Sequence, residues 1–85
     1  MQAFERLLEA VEFSRDIDSS WIDQFSDILE ARSVLSKAEK QTTDEYEIAR
    51  LSIAMDGEPP DTLEDVERVR KKCFLRLRRM LIDNR

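Results

Sequence analysis

The chain has no histidine, one cysteine, one glycine, two prolines and one tryptophan in 85 residues. Each shortage removes a class of chemistry. Without histidine there is no imidazole base, no imidazole metal ligand and no imidazole charge switch near neutral pH. A single cysteine excludes an intrachain disulfide and a cysteine-based metal cage, and it fits a reducing setting. One glycine cannot build a phosphate-cradling loop. No segment approaches the ~18 apolar residues of a membrane span. No basic start followed by an unbroken apolar run suggests a signal peptide. The expectation is a soluble, cytoplasmic protein with no cofactor, no metal site and no membrane partner.

So few glycines and prolines leave helices little to break them, and the abundant Glu, Arg, Leu and Ala favour helix throughout. A hydrophobic fraction of 41% is too high for simple disorder, and 39% charged residues leave little neutral polar surface, as amphipathic helices require. A chain of this length makes one domain, residues 1–85, and buries only about 60% of its unfolded surface.

The stretch 61–85 carries the clearest signals. Pro59-Pro60 bars helix before it, and Thr62 with Asp65, or Asp61 with Glu64, approximates a capping box. Glu64, Asp65 and Glu67 lie early and Arg76, Arg78 and Arg79 late, as the helix dipole favours. Helical stepping lines up Val66, Val69, Cys73, Leu77 and Met80, widened by Leu63, Phe74 and Leu81. Arg68, Lys72, Arg76 and Arg79 form a basic ridge beside them. Leu75 and Ile82, seven apart, point together elsewhere, and Arg70 is a charge inside the apolar arc.

Charge is divided along the chain. Residues 68–85 hold Arg68, Arg70, Lys71, Lys72, Arg76, Arg78, Arg79 and Arg85 against Asp83 alone, so they stand at +7 and residues 1–67 at −12 within a net −5. The plain explanation is that acidic helices lie against the basic one, within the fold or across a dimer. The alternatives are an anionic partner for the last helix or a cationic partner for the acidic body.

Residues 2–15 read as a first helix with Phe4, Leu7, Leu8 and Val11 inward. Glu5, Glu9, Glu12 and Asp16 follow on the adjacent face, and Asp23, Asp27 and Glu30 repeat such an acidic ridge on the next helix. Residues 16–20 break the chain, and Ser20 with Asp23 resembles a cap for a second helix over 20–40. On it Ile22, Phe25, Ile28, Leu29, Leu35 and Ala38 line one side, with Val34 near the edge. Trp21 is read as a packing anchor rather than a ligand platform. Residues 39–45 contain no apolar side chain and read as solvent-facing, either a loop or the exposed middle of a longer helix, and Thr42 with Glu45 caps a third helix over 43–56. That helix is apolar nearly all round, which predicts a central position or burial against a second subunit. Gly57 supplies its stop.

The fold expected is all-α, a small four-helix bundle-like domain with helices over 2–15, 20–40, 43–56 and 62–83, completed by oligomerisation. The alternative is three helices with residues 21–56 continuous. Cys73, in the middle of the last apolar stripe, reads as structural rather than nucleophilic. The carboxylates lack the Glu-x-x-His spacing of a di-metal bundle, and 85 residues rarely enclose a substrate cleft. An enzyme is not expected.

What remains is a non-catalytic interaction protein: an adaptor, chaperone or inhibitor that binds a protein partner through helix surfaces, with a homodimer or other small homo-oligomer expected. The partner-binding candidates are Leu75 and Ile82 flanked by Arg78 and Arg79, with Arg68, Lys72 and Arg76 beside them, because apolar anchors rimmed by arginine are a common composition of binding centres. As lone exposed residues, Leu75 and Ile82 would need no explanation. A nucleic-acid-binding regulator using residues 68–79 is the alternative. Seven cations in those positions suit phosphates, yet no aromatic residue interleaves them for base stacking.

Overall fold

The computed structural model describes residues 2–14, 19–42 and 44–83, with Leu63 described through its backbone alone. The expected break at 16–18, Arg15, Asp16 of the acidic ridge, the helix start at Thr43, the Leu63 flank of the last stripe and the charge of Arg85 lie outside the described residues. The first helix stops at Phe13, with Ser14 already extended, short of its expected end at 15. Those described are all-α: helices α1 (Ala3–Phe13), α2 (Ile28–Gln41), α3 (Glu45–Asp56) and α4 (Val66–Asp83), with 3-10 segments at Ser19–Gln24 and Leu63–Asp65 and no strand. α1 packs against α2 and α3, and α4 packs against the same two, so the order around the bundle is α1, α2, α4, α3. One apolar cluster draws on all four helices and on Trp21 and Ile22 of the first 3-10 segment.

The second helix departs most from its expected bounds. Residues 20–40 are not one helix: the chain makes the 3-10 segment, bends at 25–27, and starts α2 afresh at Ile28. Two caps compete here and the later one wins. Asp27 is extended, at φ −158 and ψ 176, and its carboxylate accepts the Glu30 N–H at 2.8 Å. Ser26 donates to the Glu30 carboxylate at 2.8 Å, while Ser20 lies 2.7 Å from Ser14 instead of capping a helix. The restart resets the helical phase, so Leu29, expected inward, is exposed while Val34 is buried. Trp21 is buried in the 3-10 segment, edge-on to Phe25 at 6.2 Å, and its indole N–H donates to the Met80 thioether of α4 at 3.2 Å. It is a packing anchor.

α3 is capped by Asp44, which accepts the Tyr46 N–H at 2.6 Å, not by Thr42. Thr42 is instead the last residue of the α2 terminus, its N–H bonded to the Ala38 carbonyl at 2.8 Å. This break removes the continuous 21–56 alternative. α3 is not central either: Ile48, Leu51, Ser52 and Met55 are buried, but Tyr46 and Ile53, seven apart, are 70% and 50% exposed. Gly57 ends α3 in the left-handed region at φ +83, where a side chain would be strained, and its N–H bonds the Ile53 carbonyl at 2.9 Å. Ser52 donates to the Glu58 carbonyl at 2.7 Å and pins the loop that follows.

The 3-10 turn at Leu63–Asp65 leads into α4, with the Asp65 N–H on the Thr62 carbonyl at 3.1 Å and the Thr62 hydroxyl on the Asp65 carboxylate at 3.2 Å. Cys73, Phe74, Leu77 and Leu81 form the buried stripe of α4, while Val66, Val69 and Met80 are half-buried at its margins. Arg70, the charge inside this arc, has a defined role. Its Nε donates to the Thr42 carbonyl at 2.8 Å and its guanidinium also reaches the Glu39 carbonyl, so it satisfies acceptors that the α2 terminus leaves free. The same group lies over the Phe74 ring at 5.8 Å.

Arg70→Met should therefore lower unfolding free energy by about 1.5–3 kcal/mol in urea titrations, and Arg70→Lys should recover little because a point charge lacks the planar fork. The Thr42 hydroxyl is fully buried with no hydrogen-bond partner among the described residues. Thr42→Val should accordingly leave stability unchanged or raise it. A loss above about 1 kcal/mol would show that the hydroxyl is satisfied.

Candidate interaction groove

α2 and α4 run antiparallel, since Arg70 near the start of α4 reaches the end of α2 while Leu81 and Ile82 lie beside Arg32 and Leu35. Between them is a solvent-open groove of about 280 Å³ lined by Arg32, Leu35, Ser36, Glu39, Arg78, Leu81 and Ile82. Leu35 and Leu81 are its buried floor, and Ile82, 55% exposed, is its apolar wall. Helical spacing extends the apolar line at both ends. Leu29 precedes Arg32 and Ser36 by three and seven positions, and Leu75 stands in the same relation to Arg78 and Ile82. These two side chains are 66% and 42% exposed.

The groove brings together some of the expected binding residues and separates others. Ile82 and Arg78 line it, and Arg78 pairs across it with the Glu39 carboxylate. Leu75 continues its edge, and Arg79 is exposed beyond it with no ion pair among the described residues. Arg68, Lys72 and Arg76 are not part of it. Arg76 turns toward α3 and pairs with Asp56 at 2.5 Å, and Arg68 pairs with Asp65 at 2.5 Å. The basic ridge is thus interleaved with carboxylates. Of the seven cations in residues 68–79, Arg68, Arg70, Arg76 and Arg78 are engaged within the fold.

The acidic residues do not form one ridge. Glu5 pairs with Arg50 of α3 at 3.3 Å. Glu9 and Glu12 are exposed on α1 with no ion pair among the described residues, and Asp23 is exposed on the 3-10 segment. Asp27 is spent on capping α2. Glu30 faces α1, where Arg6 donates to it at 2.9 Å. The Ser26 hydroxyl, followed by Arg6, holds the Glu30 carboxyl below its ordinary range. On α3, partial burial with Asp44 and Glu5 nearby pushes the Glu47 carboxyl up.

Sequence reasoning missed the α2 half of the groove: Leu29, Arg32, Ser36 and Glu39. Once the helix is taken to start at Asp27, the spacing Leu29, Arg32, Ser36 places them on one flank of α2. No pattern within α2 says that this flank meets α4.

No group of three or more Cys, Asp or Glu able to hold a metal ion occurs among the described residues, and no described helix is long and apolar enough to cross a membrane. Cys73 is buried, and burial first, then the Asp56 carboxylate, push its thiol from 9.0 to about 11 against the opposing pull of Arg76 and Lys72. No protein family matches the chain, and neither the curated proteins nor the solved structures contain a significant match to it.

A thiol reagent at pH 8 should leave Cys73 unmodified in the native protein and label it only on unfolding, which mass spectrometry against urea concentration would read. Stability should also fall with alkalinity. The folded thiol keeps its proton up to about 11 while the unfolded thiol ionises from about 9, so the folded state binds more protons between these values. Reactivity in native buffer at the rate of an exposed thiol would contradict both.

Proposed function

We propose that the protein is a non-catalytic helical interaction module, an adaptor, chaperone or inhibitor that docks a protein partner in the groove between α2 and α4. The observation that carries this is the composition of the groove: a floor of Leu35 and Leu81, an exposed Ile82 wall, and Arg32 and Arg78 at the rim. Exposed apolar side chains that line up along one concavity are what a partner's apolar residue needs. Arg32 at the rim, with no ion pair among the described residues, can orient a partner carboxylate by two-point contact, while Arg78 is held by Glu39. Binding nucleic acid through the basic face of α4 has weaker support, because Arg68, Arg76 and Arg78 already meet carboxylates.

The test compares Leu75→Asp with Ile82→Asp in one chain against Leu77→Asp, whose site is fully buried. The outer pair should change stability by no more than about 0.5 kcal/mol and abolish capture of the protein partner from the cells that make it. The Leu77 change should unfold the chain. Capture that survives the outer pair, or recovery of nucleic acid released steeply by salt in its place, would overturn the proposal.

A further inference from the structure

We infer that the occupant of the α2–α4 groove is a second copy of this chain, presenting the outer face of α1 with Phe13 as its anchor. This rests on the groove being a docking site, as proposed above, and adds what fills it. Phe13 is 72% exposed, more than any other large apolar side chain described. Glu9, Glu12 and Phe13 fall within a 100° arc of α1 opposite its buried residues. Neither glutamate has an ion pair among the described residues, so this face is an apolar knob beside two carboxylates, with Arg6, itself paired with Glu30, at its margin.

The groove is its complement. Its floor is apolar, Arg32 at one rim is exposed without an ion pair among the described residues, Arg79 stands free nearby, and Glu39 is already neutralised by Arg78. A cationic apolar groove on a chain of net charge −5 calls for an acidic apolar occupant. α1 carries one, but cannot reach the groove of its own molecule, because α1 packs on α2 and α3 and sits across the bundle from α4. Groove on groove would bring Arg32 of one copy to a lining whose carboxylate, Glu39, is already paired with Arg78, and α1 on α1 would bring glutamates to glutamates. The contact of α1 with a groove matches charge, and it is head to tail. Such a contact closes into a ring or grows as an open chain, depending on its rotation.

Sedimentation equilibrium from about 10 μM to about 1 mM, the range expected for one aromatic anchor with a charged rim, tests this directly. Wild-type mass should rise with concentration. Phe13→Asp and Ile82→Asp alter exposed positions, so circular dichroism should stay native while each weakens association at least about tenfold. An equimolar mixture of the two variants should stop at dimers, because it holds one intact α1 face and one intact groove per pair. Glu9→Lys with Glu12→Lys should weaken association as Phe13→Asp does. A wild-type chain that stays monomeric throughout, association indifferent to either variant, or a mixture that fails to recover dimers would overturn the proposal. If the chain is monomeric and Ile82→Asp still abolishes capture of a foreign protein, the groove remains a docking site and self-docking alone falls.

Discussion

A guanidinium on the inner side of α4 fixes where α2 ends. Arg70 sits among Cys73, Phe74 and Leu77, a place where an uncompensated charge would be expensive. It is tolerated because the terminus of a neighbouring helix brings free carbonyl oxygens to it, and because its flat face lies over Phe74. The two needs answer each other: the end of α2 has carbonyl acceptors left over, and Arg70 has donors beyond the one that reaches Glu67 at 3.5 Å. Meeting them locks the antiparallel register of α2 and α4. With that register set, Glu39 falls opposite Arg78, Leu35 opposite Leu81, and the groove between the helices acquires its lining.

The uneven charge along the chain takes on a similar meaning. The cations of α4 are shared between two neighbours, Asp56 of α3 on one flank and Glu39 of α2 on the other. Both pairs are partly exposed, so each adds little to stability. They orient instead, by keeping long arginine side chains from lying across the apolar margins of α4. Glu5 with Arg50 and Arg6 with Glu30 do the same for α1 against α3 and α2. Among the described charges that this balance leaves without an ion pair are Glu9 and Glu12 on α1, Arg32 on α2 and Arg79 on α4.

Much of the architecture is legible in the chain because it rests on local rules. The run from Val66 to Asp83, the stop at Gly57, the burial of Cys73 and the outward direction of Leu75 and Ile82 all follow from spacing within one uninterrupted helix. Trouble begins where two local rules overlap. Ser20-x-x-Asp23 and Asp27-x-x-Glu30 are both caps, and choosing the first carries the helical phase through residues 25–27 and turns Leu29 inward. Thr42-x-x-Glu45 likewise conceals Asp44. The exposure of Tyr46 and Ile53 fails for another reason: an apolar residue does not say whether the fold has enough partners to cover it. Arg70 was visible as an anomaly, but its carbonyl partners lie 28 and more residues away, beyond any periodicity.

Trp21 gives the protein a built-in optical gauge. It is the only indole in the chain, it is shielded from water, and its N–H rests on the sulfur of Met80. Intrinsic fluorescence therefore reports on the seating of the 3-10 segment against the far half of α4, not on the helices generally. Oxidation of Met80 to its sulfoxide would replace a soft, apolar neighbour with a strong dipole at the same spot. Emission colour would then register the chemical history of one methionine beside the end of α4 that also carries Ile82.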